Sequence, residues 1–227
     1  MESIQRRVER TLTQGPPVDL STLKSKHYLR RHMNSKTRLV LLCVDLVGST
    51  KLTLSLSPNE LISIINIFST EISMIISRYG GYILKYVGDA VIGIFPAEFD
   101  SLKACINAIE AAKNIIKIIT KVINPVLYNK LPQIEVKIGI DLGESMVVLY
   151  GKNIDTSHID LIGSCISLSS KITGLAKSNQ VLISENVFEI LVNSSENLKF
   201  EKLEIIDERW NYINIKTSKI LKVYVLE

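Results

Sequence analysis

Apolar positions along the chain change period several times, and each change marks an element. Leu39–Asp45 (LVLLCVD) is a short, nearly continuous apolar run, the pattern of a strand covered on both faces. Ser57-Pro58-Asn59-Glu60 then reads as a capping box with proline at the first helical position. Leu61, Ile65, Phe68, Ile72, Ile75, Ile76 and Tyr79 recur at helical spacing after it, predicting a helix of about 20 residues that Gly80-Gly81 stops. Two β-rich runs, Tyr82–Val87 and Ala90–Phe95, flank Gly88-Asp89 and predict a hairpin. A second helical period runs from Asp100 to Val122 and is expected to end before Pro125. Ile134–Asp141 (IEVKIGID) alternates as a strand and is expected to pair with Ser145–Tyr150. The order β-α-β-β-α-β defines the expected fold class: α+β, with a ferredoxin-like split βαβ core. A C-terminal α/β extension follows, with strands at Ile159–Ile162 and Gln180–Ser184, helices from Ser164 to Lys177 and Glu185 to Val192, and a closing pair ending in Ile220–Leu226.

Residues 1–36 have no sustained period and contain Gly15-Pro16-Pro17, so a basic, loosely structured extension with a short helix before that break is expected there, with one folded domain over 37–227. Hydrophobic residues make up 46% and charged residues 22%, a globular balance that excludes global disorder. Mean hydropathy is +0.22, yet the longest apolar runs fall short of the ~20 residues a spanning helix needs. Charge is uneven: residues 1–38 hold nine Lys and Arg against three acids, a net of +6, while the whole chain carries +4, leaving −2 for the remainder. The folded body therefore lacks the basic stripe of a nucleic-acid binder, and no nucleic-acid partner is expected. A solvated tail is the expectation for the basic residues, with docking on an anionic membrane the alternative. Cys43, Cys105 and Cys165 are odd in number and embedded in apolar runs, which argues for a reducing, cytoplasmic setting. His27, His32 and His158 have no metal-ligand spacing and read as surface residues, and Trp210 as a packing residue.

The expected topology brings two carboxylates together. In a split βαβ the third strand lies between the first and second, so the end of strand one adjoins the tip of the hairpin. Asp45 closes the first strand and Asp89 sits at the tip, a pair of hard oxygen donors suited to Mg²⁺ or Mn²⁺ together with phosphate oxygens. The small residues Val47-Gly48-Ser49-Thr50 follow, able to offer backbone N–H groups to a phosphate.

With these motifs the sequence resembles the class III nucleotidyl cyclases, the adenylate/guanylate cyclase catalytic domain. VDLVGST (Val44–Thr50) is similar to the family's first metal motif, LKYVGDAVIGIF (Leu84–Phe95) to its second, KIGIDLGE (Lys137–Glu144) to its central strand, and HIDLIGSCISLSSKI (His158–Ile172) to its substrate-binding strand-turn-helix. NQVLISENVF (Asn179–Phe188) continues in the same style. The resemblance implies that Asp45 and Asp89, aided by the Leu46 carbonyl, hold two Mg²⁺ or Mn²⁺ ions, and that Val47, Gly48, Ser49 and Thr50 cradle the β- and γ-phosphates. It implies that Lys85 and Asp160 select the base, a pairing expected for adenine, with ATP the favoured substrate. It also implies a head-to-tail homodimer with composite sites, Asp45 and Asp89 facing Lys171 of the other copy. Lys216 and Lys219 fall where the family can supply a triphosphate-binding lysine.

Two positions depart from the family pattern. Where the family has Asn and, four later, Arg, to orient ribose and stabilise charge at the α-phosphate, this chain has Ser167 and Lys171. Their spacing keeps them on one helix face, but Lys lacks the planar fork of Arg and Ser is shorter than an amide. Slower turnover is expected. Pyrimidine cyclases of bacterial antiviral signalling resemble this pattern in using Lys there, which keeps UTP and CTP open as substrates. A degenerate cyclase domain that binds nucleotide as a regulatory module is the non-enzyme alternative; a diguanylate cyclase or polymerase palm is disfavoured, since the tip reads Val87-Gly88-Asp89-Ala90.

Overall fold

A computed structural model of the chain describes all residues except 1–2, 17–19, 21, 153–156, 193, 195–197, 207–209 and 215–216. The central sheet runs β2 (Tyr82–Val87), β3 (Ala90–Pro96), β1 (Lys36–Leu46), β4 (Val136–Tyr150), β6 (Gln180–Ser184), β10 (Val223–Leu226), β7 (Phe200–Lys202), with β5 (His158–Ile162) paired to the far half of β4. β3 lies between β1 and β2 and is antiparallel to both, as the split βαβ requires. A separate short pair, β8 (Ile213–Asn214) with β9 (Lys219–Ile220), lies near the C-terminus.

Strand alternation divides the core. Val40, Leu42 and Val44 of β1 face α4 (Pro58–Arg78) and α5 (Ser101–Ile118), where Phe68, Ile72, Ile109 and Ala112 are buried against them. Leu39, Leu41 and Cys43 point to the other face, under β5 and α2 (Leu23–Arg30), with Tyr28, Leu29, Ile92, Ile159 and Leu161. Helix α7 (Ser164–Leu175) crosses this second face at Gly139, where a Cβ would stand 2.5 Å from both the Ser169 carbonyl and the Thr173 amide. Only glycine lets the helix backbone lie directly on the strand, and Thr173 Oγ1 then reaches the Cys43 carbonyl at 3.4 Å. Helix α4 is long and apolar enough to cross a membrane by composition, but more than half of it is buried against the body.

Three expectations are corrected. Residues 134–150 do not form a hairpin; β4 is one 15-residue strand through Gly143. Glycine serves there for a close approach, since a Cβ would meet Cys165 Cβ at 2.8 Å, and the pairing partner of the far half is β5. The second helix does not stop at Pro125. A π-helical turn, Ile119–Ile123, leads into α6 (Asn124–Leu127), where proline occupies a first-turn position that needs no N–H donor. Asn124 fixes that junction by exchanging two 2.9 Å hydrogen bonds with the backbone of Ile134.

In the N-terminal extension the short helix expected before Gly15 forms, but it is docked rather than loosely held. α1 (Ile4–Gln14) packs on α4 through Val8, which is 1% exposed. Arg7 makes a two-pronged contact with Glu71 of α4, Nε to Oε1 at 2.8 Å and Nη2 to Oε2 at 2.6 Å, with both residues buried. Arg7 is therefore not part of a solvated basic tail.

Candidate active site

β1 delivers Asp45 to the sheet edge in register with Ala90 of β3 and Lys137 of β4. The tight connection between β2 and β3 puts Asp89 beside it, with Gly88 at φ 60, a left-handed conformation that glycine adopts without strain. The two carboxyl groups are close enough for the charge of one to act on the other. Burial, and then the Asp89 charge, hold the Asp45 carboxyl above its ordinary range, while Lys137 across the strand and the Leu46 backbone pull it down. Two neighbouring, half-buried carboxyl groups, with the charge of Asp89 acting against ionisation of Asp45, are a donor set suited to a divalent cation, so the residues fit the expected metals. Among the described residues no group of three or more His, Cys, Asp or Glu gathers at any point, so further ligands have to come from backbone, water or substrate phosphate. The Leu46 side chain is 2% exposed and belongs to the core, so only its backbone is offered to the site.

The segment after Asp45 folds differently from a plain loop. Gly48, at φ 67, caps the short helix α3 (Ser49–Ser55) and supplies no side-chain cap. The first-turn amides of Ser49, Thr50 and Lys51 have no acceptor within the helix and point out of its N-terminus. Val47 is the exception to the expected cradle: its N–H donates to the Glu135 carbonyl at 2.9 Å and is already committed.

The structure joins Lys85 and Asp160. Lys85 Nζ lies 2.5 Å from Asp160 Oδ2, and the Leu161 amide donates to Asp160 Oδ1 at 2.8 Å. His158, read from sequence as an unremarkable surface residue, has Nε2 3.7 Å from the same Oδ2. Ser167 and Lys171 stand one turn apart on the exposed side of α7 and make no hydrogen bond or ion pair among the described residues. Neither is among the groups that act on the Asp45 carboxyl within the chain, which are Asp89, Lys137 and the Leu46 backbone. Gly163 sets the start of α7, because a Cβ there would come within 2.9 Å of the Glu144 carbonyl on β4.

Trp210 is a packing residue as expected, 8% exposed with Nε1 donating to the Leu221 carbonyl at 3.0 Å. All three cysteines are buried thiols, with Cys43 pushed up to about 11 by burial. Lys219 is exposed on β9, and Lys216 lies outside the described residues. Sequence reasoning missed Lys137. The signal was available, since the strand expected over Ile134–Asp141 contains it, and it falls opposite Asp45 at the end of β1.

The antiparallel strands β2, β3, β1 and β4 thus present paired carboxyl groups and a glycine-capped turn at one end, a candidate site for a cation and an anion in an α+β domain. Residues 32–227 match the adenylate and guanylate cyclase catalytic domain, and the chain belongs to that family. Curated relatives include a cytidylate cyclase of Escherichia coli, 28% identical over 78% of this chain and 41% of its own length. Another is a cytidylate cyclase of Staphylococcus aureus, 31% identical over 76% of this chain and 42% of its own. An adenylate cyclase of Anabaena cylindrica is 31% identical over 67% of this chain and 30% of its own. The chain thus spans about two fifths of the length of the two cytidylate cyclases. Among solved structures, the adenylyl cyclase CyaB from P. aeruginosa superposes with a TM-score of 0.71 at 21% identity, over 85% of this chain and 95% of that one, which establishes the fold.

Proposed function

We propose that this chain is the catalytic domain of a nucleotide cyclase that converts CTP to its 3′,5′-cyclic nucleotide and pyrophosphate. The contact between Lys85 and Asp160 narrows the base to two. Lys donates and carboxylate accepts, so the pair suits a base edge with a ring-nitrogen acceptor beside an exocyclic amine. Cytosine and adenine both present that edge; guanine and uracil present an N–H beside a carbonyl. The names of the two cytidylate cyclase relatives favour cytosine, and ATP is the second reading because of the adenylate cyclase relative.

In this reading Asp45 and Asp89 hold divalent cations, which when bound neutralise phosphate charge and lower the pKa of the ribose 3′-hydroxyl. The amides of Gly48, Ser49 and Thr50 take the β- and γ-phosphate oxygens. A second copy of the chain, head to tail, supplies Lys85 and Asp160 to the base, Ser167 to the ribose and Lys171 to the α-phosphate. The 3′-oxygen attacks the α-phosphorus in line, the bond to the β-phosphate oxygen breaks, and pyrophosphate leaves. The protein's part is positioning and charge stabilisation. Incubation with CTP, ATP, UTP and GTP separately, with Mg²⁺ and with Mn²⁺, tests the proposal by chromatography of the products. Cyclic CMP as the main product supports it; cyclic AMP moves the assignment to the second reading, and cyclic UMP or cyclic GMP overturns the role given to Lys85 and Asp160.

A further inference from the structure

Lys85 faces Asp160 only because β2 is irregular. Tyr82 aligns with Ile94, Ile83 with Gly93, and Lys85 with Ile92, so Leu84 is an extra residue without a partner on β3. Ile92 and Ile94 belong to the buried cluster on the β5 face, and Gly93 faces Ile76 of α4. Tyr82 and Lys85 therefore share the β5 face although they are three positions apart, a parity that an unbroken strand forbids. In a regular strand Lys85 would turn toward α4 and Tyr86 would take its place. Tyr86 instead faces α4, where its hydroxyl meets Ser73 Oγ at 2.9 Å.

The bulge has a fastener outside the matched family span, which begins at residue 32. Ser25 of α2 is 1% exposed, and its Oγ lies 2.6 Å from the Ile83 carbonyl and 2.7 Å from the Thr22 carbonyl, its single proton shared between them. Next to it, Tyr28 and Leu29 are buried in one cluster with Leu84, Ile159 and Leu161, the immediate chain neighbours of Lys85 and Asp160. The Tyr28 hydroxyl is tied in turn to Thr37 Oγ1 at 2.8 Å, at the start of β1. Helix α2 thus spans both strands of the base-reading pair and meets β2 at the bulge.

We propose that Ser25 is a positioning residue for base recognition: its hydroxyl holds the Ile83 carbonyl and thereby the bulge that aims Lys85 at Asp160. This inference rests on the base-reading role given to that pair. Without the hydroxyl, the Ile83 carbonyl loses the Ser25 donor, and β2 relieves the loss by shifting toward regular pairing.

The test compares Ser25→Ala, Ser25→Cys, Lys85→Ala and the Ser25→Ala/Lys85→Ala double variant. It measures kcat/KM for CTP and ATP, and Kd for 3′-deoxy-CTP and 3′-deoxy-ATP, which lack the attacking hydroxyl and report base reading without turnover. Ser25→Ala is expected to weaken the preferred base by about tenfold, the scale of one lost buried hydrogen bond, through KM and Kd with kcat changed little. Ser25→Cys, a weaker donor of similar size, falls between, and it carries the test if Ser25→Ala does not fold. In the Lys85→Ala background the Ser25 effect is expected to vanish, because both act through one contact. A Ser25 variant that lowers kcat for both nucleotides alike, or whose effect persists with Lys85 removed, overturns the positioning role. Unchanged base preference in Lys85→Ala itself overturns the base-reading assignment, and the inference with it.

Discussion

Removing the Arg7 guanidinium is expected to destabilise the whole domain, although α1 precedes the residues that match the family. Glu71 is 2% exposed and receives two bonds from Arg7, at 2.8 and 2.6 Å. Arg7→Ala leaves a carboxylate buried in α4 without its cation, and breaking a buried pair from one side costs about 3–5 kcal/mol. For a chain of this size each kcal/mol lowers Tm by about 2–4 °C, which places the expected drop at about 6–20 °C. Replacing both partners with apolar residues, Arg7→Met with Glu71→Leu, removes the uncompensated charge and is expected to recover most of the loss. Urea unfolding followed by circular dichroism, run as a double-mutant cycle, reads these terms directly. If α1 were a solvated tail, the pair would be worth under about 1 kcal/mol. An Arg7→Ala loss of that size, or a double variant no better than the single, refutes the docking of α1.

Two further perturbations follow from side chains already placed. Asp141 is fully buried, with Oδ1 taking the Asn186 amide at 3.2 Å and Oδ2 without a hydrogen-bond partner among the described residues, and burial, opposed by hydrogen bonds from Ser184 and Asn186, lifts its pKa from 3.8 to about 6. Between those values the folded chain holds the proton more tightly than the unfolded one, so this group's contribution to stability falls as pH rises and its penalty is complete above about 6, at up to about 3 kcal/mol. Asp141→Asn is expected to raise the urea midpoint at pH 7.5 more than at pH 4.5; equal shifts at both would contradict the assignment. Ser167→Asn with Lys171→Arg restores an amide and a planar fork on the exposed face of α7, and is expected to raise kcat by about tenfold in steady-state assays. An unchanged kcat would remove these two residues from the explanation of turnover.

What the sequence made legible is local. The capping box at Ser57 and Glu60 forms as read, with the Ser57 amide donating to Glu60 Oε2 at 2.9 Å and the Glu60 amide to Ser57 Oγ at 3.4 Å. The Asp45–Asp89 neighbourhood followed from topology alone, and motif resemblance paired Lys85 with Asp160. Several of the misses depend on partners far away in the chain, whereas the continuation past Pro125 is local, a π-helical turn that puts the proline in a first turn. Gly143 looks like a turn glycine, and only the arrival of Cys165 shows that it accommodates a helix on a continuous strand. Arg7 reads as one more tail cation until Glu71, 64 positions later, is brought against it. Strand parity predicts which face a residue takes, so the bulge at Leu84, which breaks parity, was invisible to it. The same irregularity gives Lys85 its direction.

In the proposed dimer the Asp45–Asp89 edge of one copy and the α7 face of another make a single site. Subunit complementation tests it most directly. Asp45→Ala and Lys171→Ala proteins, each purified and inactive, are mixed, allowed to exchange subunits, and assayed for cyclic nucleotide. Half of the dimers are then mixed, and each has one intact site, so about a quarter of wild-type activity is expected to return. No recovery in a mixture shown to contain mixed dimers, or full activity of Lys171→Ala alone, would contradict the account.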